Sequence, residues 1–278
     1  MPLIELVGPP GVGKSTLVGA AVDRAAGVLE ARRAVRDPRL PLPSGAVDRL
    51  RASRPGVLRT LSDRLLTGPG EAEVEAALAT VAPDWQPFLR MVLDGGAGAS
   101  RPHDTTPAED VIAVMEHGWF HGALRTRALL ERERARPHLL LLDEGLTHPF
   151  KARAIVGRGD PERLESYGGL VPLPDALVVL DAPGSVVAER LLRRRRADPR
   201  RARWASLGGD VSEARLTDEV EALRRDVEVI VTAAAGRGCP IVRIESGTLP
   251  PEVLAGRMTA ALAQVRSGTG ADAEDTTS

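Results

Sequence analysis

Residues 8–16 run Gly8-Pro9-Pro10-Gly11-Val12-Gly13-Lys14-Ser15-Thr16, a complete G-x-x-x-x-G-K-[ST] pattern. Each position has a physical task. Gly8, Gly11 and Gly13 let the backbone take positive φ and come close to an anion that a Cβ would hold off. The N–H groups so exposed form a nest at the start of a helix, where the macrodipole also favours negative charge. Lys14 adds a point charge for β- and γ-phosphates, and the Ser15 hydroxyl is a hard ligand for Mg²⁺. Gly8 to Thr16 is therefore expected to bind ATP with Mg²⁺. The flanks agree: Leu3-Ile4-Glu5-Leu6-Val7 is an apolar run suited to a buried parallel strand, and Ser15 to Arg24 has helical spacing.

Composition adds one detail to this reading. Of 37 basic residues in the 278-residue chain, only Lys14 and Lys151 are lysine. A sequence that uses arginine almost everywhere keeps lysine inside the loop, where a compact ammonium suits phosphates better than a planar fork. The arginine excess itself, with abundant alanine and glycine, carries no functional weight. A hydrophobic fraction of 43% supplies a sizeable core, and a net charge of −1 argues against a generic nucleic-acid binder. Cys239 is the one cysteine, so no internal disulfide forms and a reducing compartment is expected. The first strand begins at Leu3, which leaves no room for a signal peptide, and the apolar run Leu139 to Leu142 is too short to span a bilayer. These features predict a soluble, cytoplasmic protein without a membrane partner. Oligomeric state is left open, a homodimer included. Ser267 to Ser278 is small, polar and acidic, and reads as a disordered tail.

Farther along, Gly27 to Val35 is a candidate second strand and Arg36 to Ser44 a Pro-rich loop. Helical spacing recurs from Ala46 to Leu66 and from Glu71 to Val81. Trp85, Phe88, Leu89, Met91 and Val92 predict a further short helix that Asp94 to Ser100 ends, with Trp85 and Phe88 as core of a helical insertion. Thr106-Pro107-Ala108-Glu109 is a capping box opening a helix toward Arg134, which Pro137 stops. His138 to Asp143 and Ala176 to Asp181 are the clearest later strands. Ser185 is expected to cap a helix to about Arg196, and Thr217 to start one reaching Ala235. Ile241 to Ile244 is the last strand and Pro251 to Val265 the last helix. Alternating strands and helices predict a three-layer α/β sandwich with a parallel five-stranded sheet of the P-loop NTPase type. It would form one domain over residues 1–266, with a helical insertion at about 45–135 between the first helix and the Asp143 strand.

Asp143 and Glu144 close an apolar strand, the place of a Walker B carboxylate. Asp143 there holds Mg²⁺ directly or through water, and Glu144 is placed to accept a proton from an attacking hydroxyl or water. Leu139 to Glu144 also resembles the Walker B of transporter-type ATPases. Those carry a Leu-Ser-Gly-Gly-Gln signature upstream, however, and the nearest match here, Ser206-Leu207-Gly208-Gly209, lies downstream and lacks the Gln.

Past Asp143, the stretch from Pro174-Asp175 through Leu180-Asp181-Ala182-Pro183 to Arg190, Arg193 and Arg194 resembles a segment of thymidylate kinases and related nucleoside and nucleotide kinases. With the loop, Asp143 and the final strand–helix pair, the resemblance covers about half of the chain. It implies a helix carrying arginines into a lid at about 190–210, with Arg190 and Arg194, four apart on one face, clamping the transferring phosphoryl group. Three departures stand beside it. Asp143-Glu144 replaces the family's Asp-Arg, the stretch between loop and Walker B strand is much longer, and Arg36-Asp37-Pro38 matches the family's Arg-Glu-Pro only loosely.

Other clusters carry less. Arg193 to Arg196 wrap a full helical turn and cannot all face one ligand, so a solvated face with one or two lid arginines is favoured over a nucleic-acid patch. His117 and His121 have the spacing of a zinc pair but no third ligand, and helix packing or an acceptor pocket fits them better. Cys239, beside Pro240, is expected to be packed. The expected function is an ATP-dependent phosphotransferase on a nucleoside, nucleotide or similar small-molecule phosphate acceptor. The alternative is an NTPase whose hydrolysis drives a conformational switch or partner, and a third reading is a nucleotide binder without turnover.

Overall fold

The apolar run before Gly8 becomes the central strand of a parallel sheet. The structure is a computed structural model that describes residues 2–24, 28–30, 71–98, 120, 122–131, 139–157, 160–197, 212–247 and 249–266. Strands β1 (Leu3–Val7), β3 (Leu139–Leu142), β4 (Ala176–Asp181) and β5 (Ile241–Glu245) are joined by a three-residue strand β2 (Val28–Glu30). The order is β2-β3-β1-β4-β5, all neighbours parallel. Helices α1 (Lys14–Arg24), α2 (Glu71–Gly98), α3 (Pro149–Val156), α4 (Pro161–Leu170), α5 (Gly184–Ala197), α6 (Glu213–Gly236) and α7 (Pro251–Arg266) connect or flank them. Residues 122–131 are also helical.

Side-chain alternation sorts the strands onto two faces. Ile4, Leu6, Leu139, Leu141, Val178 and Leu180 join one buried cluster with residues of α1, α5 and α7. Leu3, Leu140 and Leu142 join another with α2, α3, α4 and the 122–131 helix, while Val7, Leu177 and Val179 pack on α6. A parallel sheet buried on both faces needs apolar residues at consecutive positions, which is why β3 and β4 are legible as apolar runs, and β1 as one interrupted only by Glu5.

Several boundaries differ from the sequence reading. One helix, α2, replaces the two short ones expected around residues 71–93, and it continues past Asp94 to Gly98. It passes through Pro83 and Pro87, which lie four apart on the exposed side while Val81, Trp85 and Phe88 are buried. Burial of those three side chains offsets proline costs of about 3 kcal/mol each. Trp85 and Phe88 are buried core residues of the segment between α1 and β3, as expected, and they pack directly into the layer on the sheet. Phe88 meets Tyr167 edge-on at 5.5 Å and Phe120 at 6.3 Å, in the cluster that covers the sheet. Ser185 is inside α5 rather than its cap: the Val187 N–H bonds the Pro183 carbonyl, and the orphan N–H of Gly184 is taken by Glu221 of α6. α6 starts at Glu213, not Thr217, because Ser212 accepts from the Arg215 N–H.

Helices α3 and α4 had no counterpart in the sequence reading. Their signals are His148-Pro149 and Asp160-Pro161-Glu162, each a side-chain cap followed by proline at the first helical position. The Arg36–Ser44 loop, the Ala46–Leu66 helix, the first half of the Thr106 helix, most of the lid and the tail from Ser267 lie outside the described residues. Among the described residues no helix is long and apolar enough to cross a membrane.

Candidate functional site

Gly8, Gly11 and Gly13 take φ of 152°, 83° and 109°. At two of these a side chain is also excluded by contact. A Cβ on Gly8 would meet the Leu180 carbonyl oxygen, and one on Gly11 would lie 2.8 Å from the Leu191 side chain. The loop is thus built against β4 and α5, and wraps the first turn of α1.

Lys14 is folded into the loop, 5% exposed, donating to the carbonyls of Gly8 (2.7 Å) and Pro9 (2.9 Å). Two of its three N–H groups are held in this way, which aims the ammonium along the loop's inner face. Burial lowers its pKa to about 8; the nearby carboxylates of Glu144 and Asp143 act the other way, and the cations Arg194 and Lys151 add to the lowering.

Ser15 Oγ donates to Asp143 Oδ2 at 2.9 Å, across 128 residues of sequence. The contact brings a loop hydroxyl and the carboxylate at the end of β3 together beside the nest. Their separation matches the edge of an octahedron of oxygens about 2.0–2.1 Å from a Mg²⁺ ion, so the pair fits two adjacent positions of that metal's shell. Among the described residues no group of three or more His, Cys, Asp or Glu is placed to hold a metal. His117 and His121 lie outside the described residues, as does Arg36.

Two hollows meet at the loop. A polar cleft of about 190 Å³ is lined by Lys14, Ser15, Glu144, His148, Lys151 and Arg194 among others. On the other flank, an apolar cavity of about 410 Å³ lies among Leu17, Ala20, Leu180, Leu249 and Leu254, with Arg190 at its wall. Gly11, Gly13, Thr16 and Arg194 line both. The two arginines four apart share the apolar cavity but have different second partners. Arg194 borders the polar cleft, whereas Arg190 bonds the carbonyls of Val12 (3.4 Å), Ser246 (3.0 Å) and Gly247. Arg190 thereby stitches the loop to the turn after β5, a job Ser246 Oγ shares by bonding Val12 O at 2.9 Å. Arg193 is exposed, 3.7 Å from Glu189.

The carboxylates of Asp175 and Asp181 have structural partners. Asp175 accepts from the Leu3 N–H at 2.7 Å and returns a backbone bond to Leu3 O, tying β4 to β1. Asp181 grips Arg224 of α6 through both oxygens, at 2.8 and 2.7 Å. Cys239 is buried, its pKa raised by burial to about 11, and its thiol faces Pro174 O.

Sequence reasoning missed the floor of the site. Glu5, in the middle of β1, is buried, and burial pushes its carboxyl up to about 7. Its Oε1 accepts the Thr147 N–H at 2.9 Å, and Tyr167 donates to Leu146 O at 2.7 Å. Together they pin the turn that carries Glu144 and His148. A charged residue inside an apolar strand was the available signal. Compared with protein-family models and with curated proteins, the chain matches none.

Proposed function

We propose that the protein is an ATP-dependent phosphotransferase acting on a small-molecule acceptor. The observation that carries this is the 2.9 Å bond between Ser15 and Asp143 beside a loop with three positive-φ glycines. The loop's amides and Lys14 bind the phosphate chain, and Ser15 and Asp143 would hold Mg²⁺. The apolar cavity suits a nucleobase, and the polar cleft the phosphates. Bound MgATP supplies the phosphoryl group. Glu144 takes the proton from the acceptor oxygen as its bond to phosphorus forms, while Lys14 and Arg194 stabilise charge on the transferring oxygens. ADP leaves with the bridging oxygen. Arg194 reaching the cleft from α5 adds a guanidinium beside Lys14 for the transferring oxygens.

Glu144 lining the cleft favours one other reading, hydrolysis with water in place of the acceptor. The test is ADP release from MgATP with and without a panel of nucleosides, nucleotides and other small hydroxyl compounds. Acceptor-dependent release that Lys14→Ala abolishes is the expected result. Release at one rate regardless of acceptor supports the hydrolase, and no release from the wild type in any mixture overturns both.

A further inference from the structure

The two lysines of the chain are far apart in sequence, yet both line one cleft. Lys14 is held by the loop carbonyls. Lys151 is presented by α3, whose first turn is closed by Lys151 N–H bonding His148 O at 2.8 Å. Two residues on, Arg153 bonds Asp226 (2.6 Å) and Glu219 (2.9 Å) of α6, so the helix cannot swing away without breaking a buried pairing. Lys151 is 4% exposed.

The two hollows fix a direction. A nucleotide with its base among Leu17, Leu180, Leu249 and Leu254 lays its phosphates over Gly11 and Gly13, which border both hollows. The phosphate chain would then run toward β3, with its last phosphoryl group beside Glu144, His148 and Lys151. Two of the three N–H groups of Lys14 are held by carbonyls and Arg194 is exposed, so a buried cation besides these two has work to do at that end. It also offsets the carboxylate that stands at position 144. A compact ammonium fits beside another in a cleft of about 190 Å³ better than a second guanidinium would.

We propose that Lys151, alongside Lys14 and Arg194, recognises the terminal phosphoryl group, and that its contact distinguishes a nucleoside triphosphate from a diphosphate at this site. The inference rests on the nucleotide-binding reading above. It is tested by titration calorimetry with ADP and with the β,γ-imido analogue of ATP, both with Mg²⁺, on the wild type, Lys151→Met and Lys151→Arg. Methionine keeps length and apolar packing, and arginine keeps charge; thermal unfolding checks that each variant is folded.

Lys151→Met should weaken the triphosphate analogue by about tenfold or more, the worth of one charge-assisted contact, and leave ADP within about twofold. Lys151→Arg should recover part of the loss. Equal weakening of both ligands, or of neither, in a folded variant overturns the assignment while leaving the nucleotide site standing. A wild type that binds neither ligand overturns the site itself. If Lys151→Met does not fold, Lys151→Gln takes its place: weakening of the triphosphate analogue with ADP binding intact supports the assignment, and an unchanged preference for the triphosphate analogue overturns it.

Discussion

Glu5 shows how one residue can serve a site it does not touch. It sits opposite Leu142 and Leu177 in the sheet, on the face where the turn after β3 folds over it. A Cβ on Gly145 would land on its carboxylate, so the turn needs glycine there. Because the folded-state pKa lies above the ordinary 4.5, folding takes up a proton between these values. The contribution of protonated Glu5 is complete below about pH 4.5 and is lost as pH rises through about 7. Glu5→Gln keeps an acceptor for Thr147 and has no such loss. Between pH 5 and pH 8, the stability of the variant should therefore gain on that of the wild type by on the order of 2–3 kcal/mol. Urea unfolding of both proteins at the two pH values measures this, and a gap that stays constant would show that Glu5 does not titrate in that window.

At the scale of elements, α6 acts as a yoke for both helices that bring cations to the cleft. Arg153 ties α3 to it, and Glu221 ties α5 by accepting the Gly184 N–H at 2.8 Å. Arg224, also on α6, pairs with Glu221 and with Asp181 at the end of β4. The base of α5 is thus capped from another helix instead of by its own Ser185. Glu221→Ala should cost about 1–2 kcal/mol, the usual worth of a helix cap, and lower turnover because α5 carries Arg194. Denaturant unfolding together with ADP-release rates checks it; a loss under about 0.5 kcal/mol would mean that the cap is dispensable.

Over the whole molecule, the sheet order places β1 between β3 and β4, so its carboxyl end opens between two flanks. The polar cleft lies toward β3, and the apolar cavity toward β4 and β5. A crevice at the carboxyl edge of an open parallel sheet is where ligands of such folds bind. The layer behind it includes α2, whose Phe88 is fully buried against Tyr167, the same tyrosine that holds the Leu146 carbonyl. Phe88→Ala should therefore lower global stability by about 3–5 kcal/mol in a single cooperative transition. Calorimetry is the measurement. Two separate transitions, with only the smaller one shifted, would make α2 an independent unit.

What the sequence by itself determined was local chemistry. Glycines at 8, 11 and 13 were legible because positive φ is a property of single residues, and β3 and β4 because burial on both faces demands consecutive apolar residues. Capping at α3 and α4 was equally local, written in His148-Pro149 and Asp160-Pro161, and went unread for want of a strong apolar period beside it. Tertiary structure alone decided which side chains converge. Sequence spacing put Arg190 and Arg194 on one face of a helix, yet only the packing of α5 against the loop sends Arg190 to the carbonyls of Val12 and Ser246 and Arg194 to the cleft. Lys151 and Glu5 carry no motif, and their positions follow from the sheet register and from ion pairs on α6. Such contacts join residues distant in the chain, and a linear pattern holds no record of them.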